Sequence, residues 1–182
     1  AVKGGYTICN TMANTKPVVD NIEVYNKIIE KNEEVGLIDL YQIMSVTKDM
    51  KGEELIDFST IPDRQKFLSD DGKGILSNDL MYRACVEAKK YNKGIMVHAE
   101  DPDVSPYDYR AAEDLITIRD IYLSKLTGAR IHMCHVSTED SIAAVRLGKK
   151  LGLNITCEVT PHHIALSDLD FKVNPPIRET KD

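Results

Sequence analysis

The chain has 182 residues, of which 42% are hydrophobic and 29% are charged, and its formal net charge is −6. This length and composition fit one globular domain with a hydrophobic core. The acidic balance offers no basic surface to nucleic acid or to an anionic membrane. No apolar run reaches the roughly 20 residues of a membrane span, and no signal peptide opens the chain.

The cysteines are typical of a reduced compartment. The chain contains four of them, with no CxxC spacing: Cys9, Cys85, Cys134 and Cys157. Three lie inside apolar, strand-like runs, which favours reduced thiols over a disulfide framework. We therefore predict a cytoplasmic protein.

In the first half of the chain, short apolar runs alternate with amphipathic stretches. Ala1–Tyr6 predicts the end of a helix and a glycine turn, and Lys48–Ile61 has only a short helical pattern. The predicted strands are Tyr6–Cys9, Ile38–Val46 and Lys66–Ser69. The predicted helices run from Pro17 to Gly36 and from about Asp79 to Tyr91.

The second half repeats this alternation more clearly. The predicted strands are Gly94–His98, Arg130–His135 and Leu153–Val159. Apolar residues from Ala112 to Leu126 indicate a long helix that Gly128 closes. Ser137 and Asp140 form a capping-box pattern that opens the next helix.

Six βα-type units without a hairpin signal predict an α/β fold with parallel strands. An open doubly wound sheet and a (β/α)₈ barrel both fit this pattern, but no glycine-rich phosphate loop follows the first strand. Polar residues instead follow several different strands, as in barrels: Asn14, Asp70, Asp71, His98, His135, His162 and His163. We predict that residues 1–182 form a single, incomplete catalytic-barrel domain of the TIM type, whose first and last strands lie outside this sequence.

Three of these polar residues have the chemistry of metal ligands. Asp71, His98 and His135 each follow a different predicted strand, so neighbouring strands in a barrel would bring them to one mouth. Two imidazoles and a carboxylate suit zinc or a similar divalent ion. A histidine at a strand end is also a common structural residue, and Asp-Asp-Gly is a common turn. Spacing alone therefore leaves both interpretations open.

Six segments, in order, resemble the signature motifs of dihydroorotases of the bacterial class I type, in the amidohydrolase superfamily. The segments are Met12–Pro17, Ser69–Gly72, Val97–Asp101, His132–Thr138, Cys157–His163 and Val173–Arg178. Ala13 stands where the family usually has proline. Each motif is weak by itself, but six in the correct order cover essentially the whole chain.

The resemblance implies a role for individual residues. It makes Asp71 a carboxylate that bridges two metals, and His98 and His135 the imidazole ligands of the second metal, so that one or two zinc ions are expected. It makes Asn14 and Asn174 contacts to the substrate. It gives structural roles to His132, His162 and His163. Cys134 and Glu158 match positions that hold an extra zinc in some animal relatives, and here we interpret them as a packing residue and a supporting acid.

Other parts of the family pattern have no counterpart in these 182 residues. The family's first strand ends in two metal-binding histidines and an arginine that grips the substrate carboxylate. Its eighth strand ends in an aspartate that acts as general acid and base. We therefore predict no general acid or base within this chain, and we expect these residues alone to be inactive.

The resemblance implies a zinc-dependent cyclic amide hydrolase that interconverts dihydroorotate and N-carbamoyl-L-aspartate in de novo pyrimidine biosynthesis. An allantoinase or hydantoinase is one alternative, although such enzymes have a carboxylated lysine where Asp71 stands. A non-catalytic subunit that scaffolds aspartate transcarbamoylase is another. The expected partners are a small-molecule substrate, a second copy in a homodimer and aspartate transcarbamoylase, with no nucleic acid and no membrane.

Overall fold

The computed structural model describes residues 1–171 and 173–182, and within them six strands alternate with helical segments. The strands are β1 (Ile8–Thr11), β2 (Asp39–Gln42), β3 (Phe67–Leu68), β4 (Gly94–Val97), β5 (Arg130–Met133) and β6 (Ile155–Cys157). The α-helices are α1 (Ile22–Val35), α2 (Asn78–Lys90), α3 (Tyr109–Thr127), α4 (Glu139–Lys150) and α5 (Pro161–Ala165). Short 3₁₀ helices cover Val2–Gly4, Lys48–Met50 and Phe58–Thr60, so β2 is followed by irregular structure, as its sequence indicates.

All paired strands are parallel and follow one another in chain order. Strands β1 and β2 form one sheet, and β3 to β6 form the other in the order β3-β4-β5-β6. A parallel bridge between Met44 and Leu68 connects the two sheets, and the N–H of Ser69 donates to the carbonyl of Met44 at 3.0 Å. Sequential parallel strands joined by helices are the arrangement of a (β/α)₈ barrel. The predicted partial barrel is confirmed.

Alternate residues of β5 face two different environments. Ile131 and Met133 are fully buried in the large cluster that includes residues of helices α2 and α3. Cys134 belongs instead to a small cluster with Ile43 and Met96, on the opposite face of the sheet. Because side chains alternate across a strand, this second face carries the polar residues of the barrel interior.

Gly94 allows an aromatic ring to pack inside the barrel. A Cβ at this position would lie 2.6 and 2.8 Å from ring carbons of Phe67. The Phe67 ring meets the imidazole of His132 edge to face, with centroids 6.4 Å apart. Any larger residue at position 94 would displace this ring from the barrel interior.

Two sequence-based predictions of helix starts are wrong. Helix α1 begins at Ile22 and not near Pro17, because the Asn21 side chain accepts the N–H of Val24 and caps the helix there. Helix α4 is capped by Thr138 and not by Ser137, since the Thr138 side chain accepts the N–H of Ser141. Both errors arise because several residues able to cap a helix stand close together before its start.

The described part of the chain contains no helix long and apolar enough to cross a membrane. All four cysteines are free; Cys85 and Cys134 are buried, Cys9 is half-buried and Cys157 is exposed. Burial raises the pKa of the Cys85 thiol to about 12. This thiol is therefore protonated and unreactive at neutral pH.

Helix α3 carries a fully buried acid, Asp120. Its Oδ1 accepts from Nε of Arg119 at 2.8 Å, whereas Oδ2 has no partner among the described residues. Burial raises the pKa of Asp120 to about 6, although the Arg119 charge opposes the shift. The ionised form is thus disfavoured in the folded protein.

We expect Asp120→Asn to increase stability at neutral pH. A folded-state pKa above the unfolded value means that this carboxyl favours folding most below about pH 4, and that the contribution is lost as the pH rises through about 6. Asp120→Asn should raise the free energy of unfolding at pH 7.5 by about 2 kcal/mol, with a smaller change at pH 4.5. Urea denaturation at both pH values measures this difference, and an equal change at both would contradict the expectation.

Candidate metal centre

The three predicted ligands lie together at the carboxyl ends of adjacent strands. Asp71 follows β3, His98 follows β4 directly, and His135 follows β5. One ligand atom from each lies within 4.8 Å of the other two. Parallel strands place their carboxyl ends at one edge, so residues far apart in sequence meet there.

The two histidines face each other through defined ring nitrogens. His98 Nδ1 is 2.9 Å from His135 Nε2, and the ring planes meet at 78°. Burial lowers the pKa of His135, and the nearby His98 lowers it further. A neutral imidazole keeps the lone pair that a metal ligand needs.

Glu100 holds the other side of the His98 ring. Its Oε2 is 3.0 Å from His98 Nε2 and also accepts from the Asn174 amide at 2.8 Å, while its Oε1 accepts from Ser105 Oγ at 2.7 Å. Burial alone would raise the pKa of Glu100, but these hydrogen bonds together lower it. A carboxylate at Nε2 favours a proton on that nitrogen and leaves Nδ1 as the free ligand atom.

The two predicted substrate residues lie at the same mouth. Asn14 Nδ2 donates to Asp71 Oδ2 at 3.1 Å, and Asn174 Nδ2 donates to Glu100. Both asparagines are exposed. Their amides can therefore contact a small molecule beside the three candidate ligands.

Asp70, next to Asp71, is buried and faces the polypeptide backbone. Its Oδ1 accepts the N–H groups of Val46 at 2.8 Å and Thr47 at 3.1 Å, and its Oδ2 accepts the Thr47 hydroxyl. Burial raises the pKa of Asp70, and these hydrogen bonds oppose the rise. Asp70 thus ties the loop that carries Asp71 to the residues after β2.

Two of the remaining histidines, His132 and His163, have hydrogen-bond partners in the protein. His132 lies 2.8 Å from Thr156 Oγ1 through Nδ1 and 3.4 Å from Glu158 Oε2 through Nε2. The His132 hydrogen bond lowers the pKa of Glu158. His163 Nε2 contacts the carbonyls of Pro175 and Pro176, both at 3.1 Å.

The group of His132, Cys134 and Glu158 lies inside the barrel beside the candidate ligands, and its ligand atoms also fall within 4.8 Å of one another. Burial raises the pKa of the Cys134 thiol far above its usual value. Cys134 is buried, whereas the Glu158 side chain is half exposed. The interpretation of Cys134 and Glu158 as packing and supporting residues therefore stays a prediction.

Two supporting residues escaped the sequence analysis. Glu100 stands two positions after His98, within the segment Val97–Asp101, and that proximity is the available signal. Glu113 is buried on α3, where Glu113, Thr117, Asp120 and Ser124 form a buried polar stripe. Polar residues repeating at helical spacing toward the core were the signal for this stripe.

The chain resembles several characterised proteins. The sequence profile described as dihydro-orotase-like matches residues 1–141. A dihydroorotase of Clostridium botulinum is 45% identical over 186 residues, covering 100% of this chain and 47% of that protein. A dihydroorotase of Ligilactobacillus salivarius is 36% identical over 206 residues, covering 100% and 48%. The chain thus spans about half the length of the curated relatives it matches.

Solved structures share the fold at low sequence identity. A D-hydantoinase (dihydropyrimidinase) from Thermus sp. superposes with a TM-score of 0.74 at 18% identity, covering 100% of this chain and 47% of that one. The inactive dihydroorotase-like domain of a CAD-like multifunctional protein from Chaetomium thermophilum gives 0.58 at 23% identity, covering 90% and 44%. At these identities the likeness establishes the barrel architecture alone.

Proposed function

The chain belongs to the dihydro-orotase-like family, and from this membership we propose that the full-length protein is a dihydroorotase. It would interconvert dihydroorotate and N-carbamoyl-L-aspartate by opening and closing a cyclic amide. One observation carries the proposal: Asp71, His98 and His135 converge at one mouth in a chain that is 45% identical to a dihydroorotase.

The donor set fits a divalent ion of the zinc type. Asp71 would hold one or two zinc ions together with His98 Nδ1 and His135 Nε2. A zinc ion bound there supplies Lewis-acid chemistry and a nucleophile at neutral pH. Glu100 would keep the His98 ring in the tautomer that leaves Nδ1 without a proton.

The protein's own residues would also orient the substrate. Asn14 and Asn174 each have an amide that can donate to a ring carbonyl or a carboxylate and accept from a ring N–H. The residue roles that the family resemblance implies for these 182 residues do not include the general acid and base. We propose that this group comes from the part of the family pattern that these 182 residues do not match.

Activity of the purified full-length protein tests the proposal directly. We expect hydrolysis of dihydroorotate that chelation abolishes and added Zn²⁺ restores, with little activity on hydantoin or allantoin at the same concentration. Preference for hydantoin would favour the alternative amidohydrolase activity. Zinc-loaded protein without any turnover would favour a non-catalytic subunit.

We also propose that the full-length protein forms a homodimer and that aspartate transcarbamoylase is a further partner. Exposed apolar residues of α3 support self-association, since Leu115, Ile118, Tyr122 and Leu126 recur at helical spacing. Sedimentation of the full-length protein, with and without aspartate transcarbamoylase, measures both states. A monomer at micromolar concentration would contradict the homodimer.

We expect Asn14→Ala to weaken use of the substrate without removing metal. The Asn14 amide contacts Asp71 but is not itself a zinc ligand, so its loss removes roughly 1–3 kcal/mol of polar interaction with the substrate. KM for dihydroorotate should rise about tenfold or more, while zinc content measured by atomic absorption stays at the wild-type level. Loss of zinc from this variant would contradict the assigned role.

A further inference from the structure

Glu113, a buried carboxylate on α3, lies against the loop that follows His135. The residue is 4% exposed. Its Oε1 accepts the N–H of Ser137 at 2.8 Å and the N–H of Thr138 at 3.3 Å, and its Oε2 accepts the Ser137 hydroxyl. One side chain therefore binds three donors from two consecutive residues of this loop.

The loop contains an unusual backbone conformation at the metal ligand itself. His135 has φ of 37°, in the left-handed region that residues with a Cβ seldom adopt. Such a conformation persists only where the surrounding contacts fix it. Before it, the N–H of Cys134 donates to the carbonyl of Val97 at 3.0 Å, and after it the N–H of Val136 donates to the carbonyl of Glu158 at 2.9 Å.

Beyond Val136 the loop leaves the sheet, and side chains continue the support: Glu113 accepts its backbone N–H groups, while Arg178 and Asp114 bond to its hydroxyl groups. Ser137 and Thr138 are buried and stand at the start of α4, where backbone N–H groups have no partner within the helix. Glu113 accepts both of these N–H groups. It thereby fixes the chain beyond Val136, just as the two neighbouring strands fix the backbone at Cys134 and Val136.

Arg178 completes the arrangement from a distant part of the chain. Its Nε donates to Ser137 Oγ at 3.0 Å, and its Nη2 is 3.3 Å from Glu113 Oε2. The Arg178 side chain is 10% exposed, so the two opposite charges compensate each other in a largely buried position. Since Arg178 follows Asn174 closely, Glu113 also connects the Asn174 segment to the His135 loop.

We propose that Glu113 is a positioning residue for His135: it holds the loop after β5 so that His135 Nε2 points toward His98 Nδ1. This inference rests on the metal centre proposed above. Glu113 itself contacts Ser137, Thr138 and Arg178, and acts on the metal only through the His135 backbone. A partner that orients a ligand in this way typically contributes about 10- to 100-fold to metal affinity.

Zinc affinity of full-length variants tests this role. Glu113→Gln keeps an acceptor for the two N–H groups but places an amide donor where the acceptor for Arg178 and the Ser137 hydroxyl stood. Glu113→Ala removes every contact. We expect zinc dissociation constants, from competition with a chromophoric chelator, to rise about tenfold for Gln and about a hundredfold for Ala. The absorption bands of the Co²⁺-substituted protein should also shift.

The control is the same Glu→Gln change at an exposed position. Glu23 lies on α1 at the surface, where its Oε1 accepts from Lys27 Nζ at 2.8 Å. Glu23→Gln should keep both the wild-type zinc affinity and the wild-type Co²⁺ spectrum. Ser137→Ala serves as a milder test of the loop, because it keeps both backbone N–H bonds and should weaken zinc binding a few-fold even if Glu113→Ala does not fold.

The outcomes separate this inference from the proposed function. A purely structural Glu113 would lower the melting temperature of the metal-free protein but leave zinc affinity and the Co²⁺ spectrum unchanged, which would overturn the positioning role. If His135→Ala bound zinc as tightly as wild type, the metal centre itself would be wrong, and the role of Glu113 would fall with it. Weaker zinc binding in both His135→Ala and Glu113→Ala, with an altered Co²⁺ spectrum in the latter, supports both.

Discussion

Replacing His135 with alanine in the full-length protein should reduce turnover of dihydroorotate by roughly a thousandfold. His135 contributes one of the two facing nitrogens of the centre, 2.9 Å from His98 Nδ1, and burial lowers its pKa so that it is neutral at pH 7. Loss of the ion would remove about 4 kcal/mol of transition-state stabilisation, which corresponds to that change in rate. Steady-state kinetics and zinc content, measured on one preparation, check the expectation.

His162→Ala provides the matched control. The His162 ring packs against His163, with centroids 4.5 Å apart and the ring planes tilted by 43°, and His162 does not belong to the group of candidate ligands. It should retain wild-type zinc content and turnover within about twofold. A His135 variant that kept its zinc and its rate would contradict the assigned ligand role, whatever the control showed.

Much of this centre could be predicted from the sequence, because it depends on the order of parallel strands. His98 and His135 directly follow runs of apolar residues, and such runs become neighbouring strands whose carboxyl ends meet. The prediction of the site also does not depend on the position of a strand end to within a few residues. The structure begins β1 at Ile8 where the sequence indicated Tyr6, and the site is unaffected.

The contacts that orient the ligands could not be predicted in this way. Glu113 reaches the His135 loop only because α3 and α4 pack side by side, and no local pattern encodes that contact. The helix start at Ile22 was missed for a different reason. Pro17 suits the first turn of a helix, but Asn21 has the geometry that caps one.

Residue type alone could not decide which of Asp70 and Asp71 is the candidate ligand. Both stand in the same motif, and either could have been the ligand from its residue type alone. Consecutive side chains after a strand point to opposite sides, so one faces the barrel mouth and the other faces the backbone after β2. The structure places Asp71 with the two histidines and Asp70 against Val46 and Thr47.

We expect Asp70→Ala to lower the stability of the metal-free protein and Asp71→Ala to weaken metal binding instead. Asp70→Ala leaves the buried N–H groups of Val46 and Thr47 without an acceptor, at a cost of roughly 1–3 kcal/mol each. The metal-free protein should therefore lose about 3 kcal/mol or more of unfolding free energy. Asp71→Ala removes a half-buried side chain whose only hydrogen bond within the described residues is to Asn14, so the metal-free protein should change by about 0.5 kcal/mol or less.

The stabilisation gained on adding zinc should show the opposite order, with Asp71→Ala the more affected variant. A ligand that binds only the folded state stabilises it in proportion to the logarithm of its concentration over its dissociation constant. Asp70→Ala keeps the three candidate ligands and should still gain stability when zinc is added, whereas Asp71→Ala should gain little. Thermal unfolding with and without Zn²⁺ measures both effects, with Asp63→Ala, at an exposed position, as the control that changes neither. If Asp71→Ala lowered metal-free stability as much as Asp70→Ala and kept the full response to zinc, Asp71 would be a structural residue, and the centre would have to be built from the two histidines and other ligands.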